Sequence, residues 1–153
     1  MRYKINPGIL LRKPCLTADI CGSCLHSQIN GRVSFFNACG GSVVTAEIFG
    51  LPTENNIFAM HIHNGSSCSG NETDPFANAG THLDFTNTEH PFHTGDLPAI
   101  FSNNGYAWYA VYTNRFQPFQ VKGYTVIVHA HSDDYHTQPS GNSGEKIACG
   151  VIK

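Results

Sequence analysis

Along most of the chain, apolar and polar residues change places in short runs and do not recur at the three-to-four-residue interval of an amphipathic helix. The segments HSQINGRVSFF, SVVTAEIFGLP, NIFAMHIH, PAIFSNNGYAWYAVYT, GYTVIVHAH and KIACGVI are rich in β-branched and aromatic residues and are bounded by Gly, Pro and Asn. That combination is the mark of strands separated by turns. Short strands punctuated in this way predict an all-β domain, either an antiparallel sandwich or a closed barrel. Asn103, Asn104 and Gly105 predict a tight hairpin turn, because Asn-Gly tolerates the positive φ that the turn demands. The YAWYAVY run around Trp108 alternates and reads as core and interface material.

Two connections are too long for hairpin loops, residues 64–97 and 130–146. Long ordered loops in a small β domain are usually functional or stapled down. Residues 1–17 carry little strand signal and read as an N-terminal tail, which leaves one domain over 18–153.

A chain of 153 residues can bury a core without help, and 41% apolar against 13% charged residues excludes a disordered protein. The formal net charge of -2 provides no basic stripe for nucleic acid or an anionic membrane. No apolar run reaches the length of a membrane span, and GILL after MRYKINP is too short for a secretory segment. The reading is a cytoplasmic protein with no nucleic-acid or membrane partner. Six cysteines, at 15, 21, 24, 39, 68 and 149, sit awkwardly with a reducing compartment, and their pairing is open from sequence.

Histidine changes the picture. His61 and His63 stand two apart in FAMHIHNG, so on a strand both imidazoles face the same way and can chelate. A lone pair of this kind is ordinary and does not name an ion. The stretch GTHLDFTNTEHPFHTGDLP then adds His82, His90, His93 and Asp96, three imidazoles and a carboxylate, a donor set that zinc accepts in tetrahedral geometry. With His129 closing the apolar run VIVH, six histidines and one aspartate are available. That is more than one ion needs, and it suits two four-coordinate ions that share a ligand.

The segments HIHNGSSC, AGTH, HTGDLP, VIVHAHSDD and GNSGEKIACGVI together closely resemble the copper/zinc superoxide dismutase family, in its bacterial form with a shortened zinc loop. The resemblance implies an eight-stranded antiparallel Greek-key β-barrel or sandwich with two long functional loops. It implies copper ligands His61, His63, His82 and His129, zinc ligands His82, His90, His93 and Asp96, and His82 bridging the two ions. Asp133 resembles the carboxylate that links a copper histidine to a zinc histidine. Cys68 and Cys149 look like the intramolecular disulfide. The implied activity is disproportionation of superoxide to dioxygen and hydrogen peroxide, with copper cycling between Cu(II) and Cu(I), zinc structural, and His82 carrying a proton. Relatives exist as dimers and monomers, so a homodimer is a candidate assembly.

Two departures bear on function. Only two residues separate His90 from His93, so the zinc loop is trimmed without losing a ligand. The cation above copper is arginine in most relatives, and here Lys146 holds the matching place in GEKIACGVI. An ammonium attracts an anion but lacks the planar donor fork, and Glu145 beside it is expected to cancel part of its field. Weaker guidance of substrate is the expectation. Two rivals remain: a non-catalytic copper-binding or copper-delivery protein on the same scaffold, and a zinc hydrolase using His82, His90 and His93. Cys21 and Cys24 form a CxxC, but residues three apart on a strand face opposite sides, so joint chelation would need a non-strand backbone.

Overall fold

The computed structural model describes residues 5–153. The expected tail therefore lies partly outside the described residues. Its described portion holds a short 3-10 turn at Pro7–Leu11, with Asn6 capping the turn through its side chain. Nine strand segments follow: β1 (Leu16–Gly22), β2 (Asn30–Ala38), β3 (Gly41–Phe49), β4 (Ile57–Phe58), β5 (Met60–His63), β6 (Ile100–Phe101), β7 (Ala107–Thr113), β8 (Thr125–His129) and β9 (Lys146–Val151). β1 was not legible in the sequence pattern, and it begins two residues before the expected domain start. Both ends of Thr17 are tied to Lys153 by backbone hydrogen bonds of 2.9 Å, so this segment is part of the sheet.

Seven segments form one antiparallel sheet in the order β5-β8-β9-β1-β2-β3-β7, and β4 pairs with β6 in a separate ribbon. Non-consecutive neighbours such as β3 and β7, or β9 and β1, are the crossovers of a Greek key. β4 and β5 are one extended run interrupted at Ala59, so the nine segments correspond to the eight strands expected. That run pairs with β6 at its start and β8 at its end. β6 in turn joins β7 by the predicted hairpin, where Asn104 at φ 50 and Gly105 at φ 78 take the left-handed conformation. The two ends of the sheet are thereby brought towards each other round a common core, as a Greek-key barrel requires.

Alternation decides what lies inside. On β5, Met60 and Ile62 enter the main apolar cluster with Phe35, Phe58, Ile100, Val126 and Val128. His61 and His63, at the other parity, face outward yet are 0% and 2% exposed. They are covered by the connection between β5 and β6. A second small apolar cluster fastens that cover, with Phe76, Ala79 and Cys68 of the loop against Ile127 and Cys149 on the outer face of β8 and β9.

The Cys68–Cys149 disulfide sits in this cluster and spans a sequence separation of 81. Constraining so long a loop in the unfolded chain is worth about 4 kcal/mol in the chain-entropy model. Replacing Cys68 by Ser is expected to lower unfolding stability by about 2–5 kcal/mol in urea titrations, and reduction of the parent should give a similar loss. A variant as stable as the parent would mean that Phe76 and Ile127 hold the loop unaided.

Candidate metal centre

The covering loop reaches β5 through backbone bonds. Ile62 donates to the carbonyl of Gly95 and accepts from the amide of Leu83, at 2.9 and 2.8 Å, and Gly95 donates to the carbonyl of Leu83 at 2.8 Å. These bonds clamp the neighbours of His82 and Asp96 onto the strand, so that His63 stands opposite His82 and His61 opposite Asp96. On β8, a register shift between Val128 and His129 ends the ladder and delivers His129 to the same outer face.

All seven predicted donors meet. His61, His63, His82 and His129 offer ligand atoms within 4.8 Å of one another, and so do His82, His90, His93 and Asp96, with His82 common to both groups. Among the described residues these are the two groupings of this kind.

The hydrogen bonds fix which nitrogen of each ring is free. His63 donates from Nδ1 to the carbonyl of Gly80 at 2.9 Å, and His129 from Nδ1 to the carbonyl of Gly144 at 3.2 Å. Each Nε2 then carries a lone pair, and the two lie 3.3 Å apart. Two acceptors facing each other at that distance inside a protein repel unless a cation lies between them. His61 donates from Nε2 to Asp133 at 2.8 Å, which leaves its buried Nδ1 without a partner. The Nε2 of His82 is likewise buried and unpartnered.

The second group repeats the pattern. His90 donates from Nε2 to Asp133 at 2.8 Å, so its Nδ1 presents a lone pair to the Asp96 carboxylate oxygen 3.1 Å away. The Nδ1 of His93 is 3.2 Å from the same oxygen, and the Nδ1 of His82 is 2.7 Å from the other. The buried Nδ1 atoms of His90 and His93 have no hydrogen-bond donor to satisfy them. Buried orphaned lone pairs are rare in proteins. Their convergence on two points fits one ion at each, with imidazole and carboxylate donors that suit copper or zinc.

Burial sets the protonation. Desolvation lowers His61, opposed in part by its bond to Asp133; it takes His63 well below the ordinary value and His129 down to about 3. These rings are neutral at neutral pH, which is the form that ligates. Burial works against ionisation of Asp96 and Asp133, but hydrogen bonds from the histidines outweigh it and hold both carboxyls below their usual value.

Several supporting residues escaped the sequence reading. Arg115 donates from Nη1 to the carbonyls of His93 and Asp96, at 3.0 and 3.1 Å. Gln138 brackets His90, accepting from its amide at 3.0 Å and donating to its carbonyl at 2.7 Å. The Tyr135 hydroxyl accepts from the amide of Ala99 at 2.8 Å. The Gln138 and Tyr135 bonds join the connections before β6 and β9, and Arg115 ties the first of these to the connection after β7; nothing in a single sequence distinguishes such residues from other polar loop positions. Gly141 also belongs here: its φ is 68, and a side chain at that position would strike Asp133 and His90.

Lys146 lines a cavity of about 1170 Å³ together with His63, His82 and His129. Its Nζ lies 2.7 Å from the Asp74 carboxylate and 3.3 Å from the carbonyl of Phe76. The carboxylate on the lysine is therefore Asp74, not the sequence neighbour Glu145. His131 and His136 belong to neither ligand group. Cys15, Cys21, Cys24 and Cys39 are free and exposed. Cys21 is on β1, which ends at Gly22, and Cys24 opens a 3-10 turn, so the CxxC straddles the end of the strand, and no metal grouping among the described residues includes it.

Comparison with known proteins agrees with this geometry. The family model described as copper/zinc superoxide dismutase matches residues 29–152. A superoxide dismutase [Cu-Zn] of Deinococcus radiodurans is 32% identical over 94% of this chain and 86% of its own length. That of Escherichia coli K12 is 36% identical over 82% of this chain and 80% of its own. Among solved structures, the Cu/Zn superoxide dismutase from Brucella abortus superposes with a TM-score of 0.77 at 27% identity, covering 90% of this chain and 98% of that one.

Asp133 orients one ring of each donor group with its two oxygens. In Asp133→Asn one oxygen becomes an NH2 that faces a ring N–H, so one histidine loses its acceptor. Metal affinity is expected to fall about 10–100-fold in chelator competition, for both ions. An unchanged affinity at either site would show that packing alone orients its rings.

Proposed function

The chain belongs to the copper/zinc superoxide dismutase family, and from that premise we propose that it dismutates superoxide at the paired donor groups. His61, His63, His82 and His129 are assigned to copper. His82, His90, His93 and Asp96 are assigned to zinc. The observation that carries the reading is the sharing of His82, whose free Nε2 faces one group while its Nδ1 faces the other. Copper and zinc are the metals of the family; when bound, copper supplies the one-electron chemistry and zinc, which is redox-inert, supplies charge and structure.

The protein's own part is positioning and proton control. His82 can hold a proton at Nε2 while its Nδ1 stays engaged on the zinc side, which makes it the natural proton carrier of the site. His61, His63 and His129 are each held by a bond from the ring nitrogen that does not ligate, so their orientation survives loss of one ligand contact. Lys146 supplies positive charge in the cavity through which an anion must approach. The pairing of Lys146 with Asp74 is the observation that favours the rival reading, a copper-binding or delivery protein with little turnover.

Purified protein with its metal content measured should consume superoxide when it contains both copper and zinc, and should not when it contains zinc alone. His63→Ala should reduce the rate by at least about 100-fold, a loss of the order seen when a group that orients the reacting centre is removed. Copper bound stoichiometrically without superoxide consumption would favour the rival.

We extend the proposal to a homodimer. Phe49 of β3, Tyr106 just before β7 and Trp108 on β7 are 44%, 39% and 58% exposed, and the Phe49 and Tyr106 rings meet at a tilt with centroids 5.1 Å apart. A cluster of exposed aromatics of this kind suits a self-complementary twofold contact. Sedimentation velocity should give a dimer that Trp108→Glu converts to monomer; a monomeric parent would refute the assembly.

A further inference from the structure

The cavity that leads to His63, His82 and His129 has an electrostatic lining at odds with its substrate. Four carboxylates line it, those of Glu72, Asp74, Asp84 and Glu145, and among the described lining residues Lys146 is the single lysine or arginine. Superoxide is an anion, so its approach is governed by what charge Lys146 presents. That charge is not free. The Lys146 side chain is 16% exposed and holds Asp74 at 2.7 Å, while Asp74 itself is 38% exposed at the cavity wall.

Asp74 is built to hold this lysine. It sits in the turn from Asn71 to Phe76, where its own Oδ1 accepts the amide of Phe76 at 3.0 Å, leaving Oδ2 for the ammonium. The carbonyl of Phe76 is the second acceptor on Nζ, at 3.3 Å. Phe76 is packed against Ile127 and Cys149 beside the disulfide. The lysine is thus anchored to a segment that is itself fixed to the barrel. Burial alone would favour the neutral acid at Asp74, but the bond from Lys146 prevails and the carboxyl is held below its usual value, hence charged at neutral pH.

We propose that Asp74 is a positioning residue for Lys146 that fixes the ammonium at the cavity wall and offsets its charge, so that anion capture at the metal site is held below what the lysine alone would give. This rests on the dismutase reading above. A bare ammonium has only the attraction of a point charge to offer an anion, with no directional fork. Pairing it with a carboxylate at contact distance turns a monopole into a short dipole, whose field falls off faster with distance. The anchor keeps the flexible four-carbon stem from swinging into solvent, and the carboxylate that provides the anchor weakens the attraction. The partners of Nζ are Asp74 and the carbonyl of Phe76, so Glu145, though adjacent in sequence, is not needed for the effect.

Asp74→Asn removes the negative charge and leaves one oxygen, which serves either Nζ or the amide of Phe76 and not both, while the carbonyl of Phe76 stays as an anchor on Nζ. With copper and zinc content matched to the parent, kcat/KM for superoxide at low ionic strength should rise about twofold to fivefold, a modest part of the range that charge-guided association spans. The gain should shrink as salt rises, since screening shortens the reach of the lysine's field. A second measurement does not depend on turnover: the dissociation constant of azide, a small monovalent anion, read from the visible absorption of the copper-loaded protein, should fall by a similar factor. Both gains should vanish when Asp74→Asn is made in a Lys146→Ala background. The inference is overturned if Asp74→Asn leaves rate, salt dependence and azide affinity at parental values, or slows the enzyme, or if the gains persist without Lys146. A parent that binds both metals but consumes no superoxide would instead overturn the dismutase reading, and the azide comparison would still decide the role of Asp74.

Discussion

Everything in this molecule depends on packing imidazoles so that their ring nitrogens converge on two points. Five buried histidines, a partly buried His93 and an aspartate are packed so that lone pairs face lone pairs at two points, at 3.3 Å between His63 and His129 and 3.1 Å between His90 and Asp96. Desolvated polar atoms without partners cost free energy, so the protein alone is unsatisfied at two points, and cations at those points turn repulsion into bonding. The barrel makes the arrangement tolerable. His61 and His63 stand on a strand whose other face is fully committed to the core, and the backbone of Ile62 grips the covering loop from both sides. The rings cannot relax apart without breaking strand pairing.

The ligand atoms are selected by the bond each ring makes at its other nitrogen. Gly80 and Gly144 use backbone carbonyls to direct His63 and His129, whereas Asp133 directs His61 and His90 with one carboxylate. Asp133 therefore couples the two donor groups without belonging to either. Gly141 leaves room for it, and Gln138 and Tyr135 tie its loop to the segments carrying His90 and Ala99. Two loops that enclose no core of their own are ordered by the site they enclose and by the small apolar cluster around the disulfide.

The seven donors were legible because ligand chemistry restricts residue type, and their spacing matched a family. Strands β2, β3, β7 and β8 were legible because period-two alternation and Asn-Gly turns have local causes. β1 was missed: LTADICG alternates in burial, with Ala18 and Ile20 inside and Asp19 and Cys21 exposed, but Ala, Asp and Gly are poor strand formers and its pairing to β9 is to a distant segment. Ala59 breaks β4 from β5 where the run passes from one partner strand to another, which is a tertiary event with no local signature. Arg115, Gln138 and Asp74 were missed for a similar reason. Each acts through contacts more than 19 residues away or at that separation, and a polar residue in a polar loop carries no mark of its partner.

Lys146 illustrates the limit most clearly. Its position in the last strand was readable, and so was the chemical difference between an ammonium and a guanidinium. The neighbour that matters to it was not Glu145 but Asp74, 72 residues earlier in the chain and brought beside it by the loop that the disulfide fastens. A guanidinium could divide its five donors between the loop carbonyls and an incoming anion, whereas an ammonium has three, and two of its contacts are already taken by Asp74 and Phe76. Exchanging arginine for lysine therefore alters how the cation is held as well as what it can bind. Asp74 gives that flexible ammonium a charged partner at 2.7 Å, which together with the carbonyl of Phe76 keeps it at the wall of the cavity.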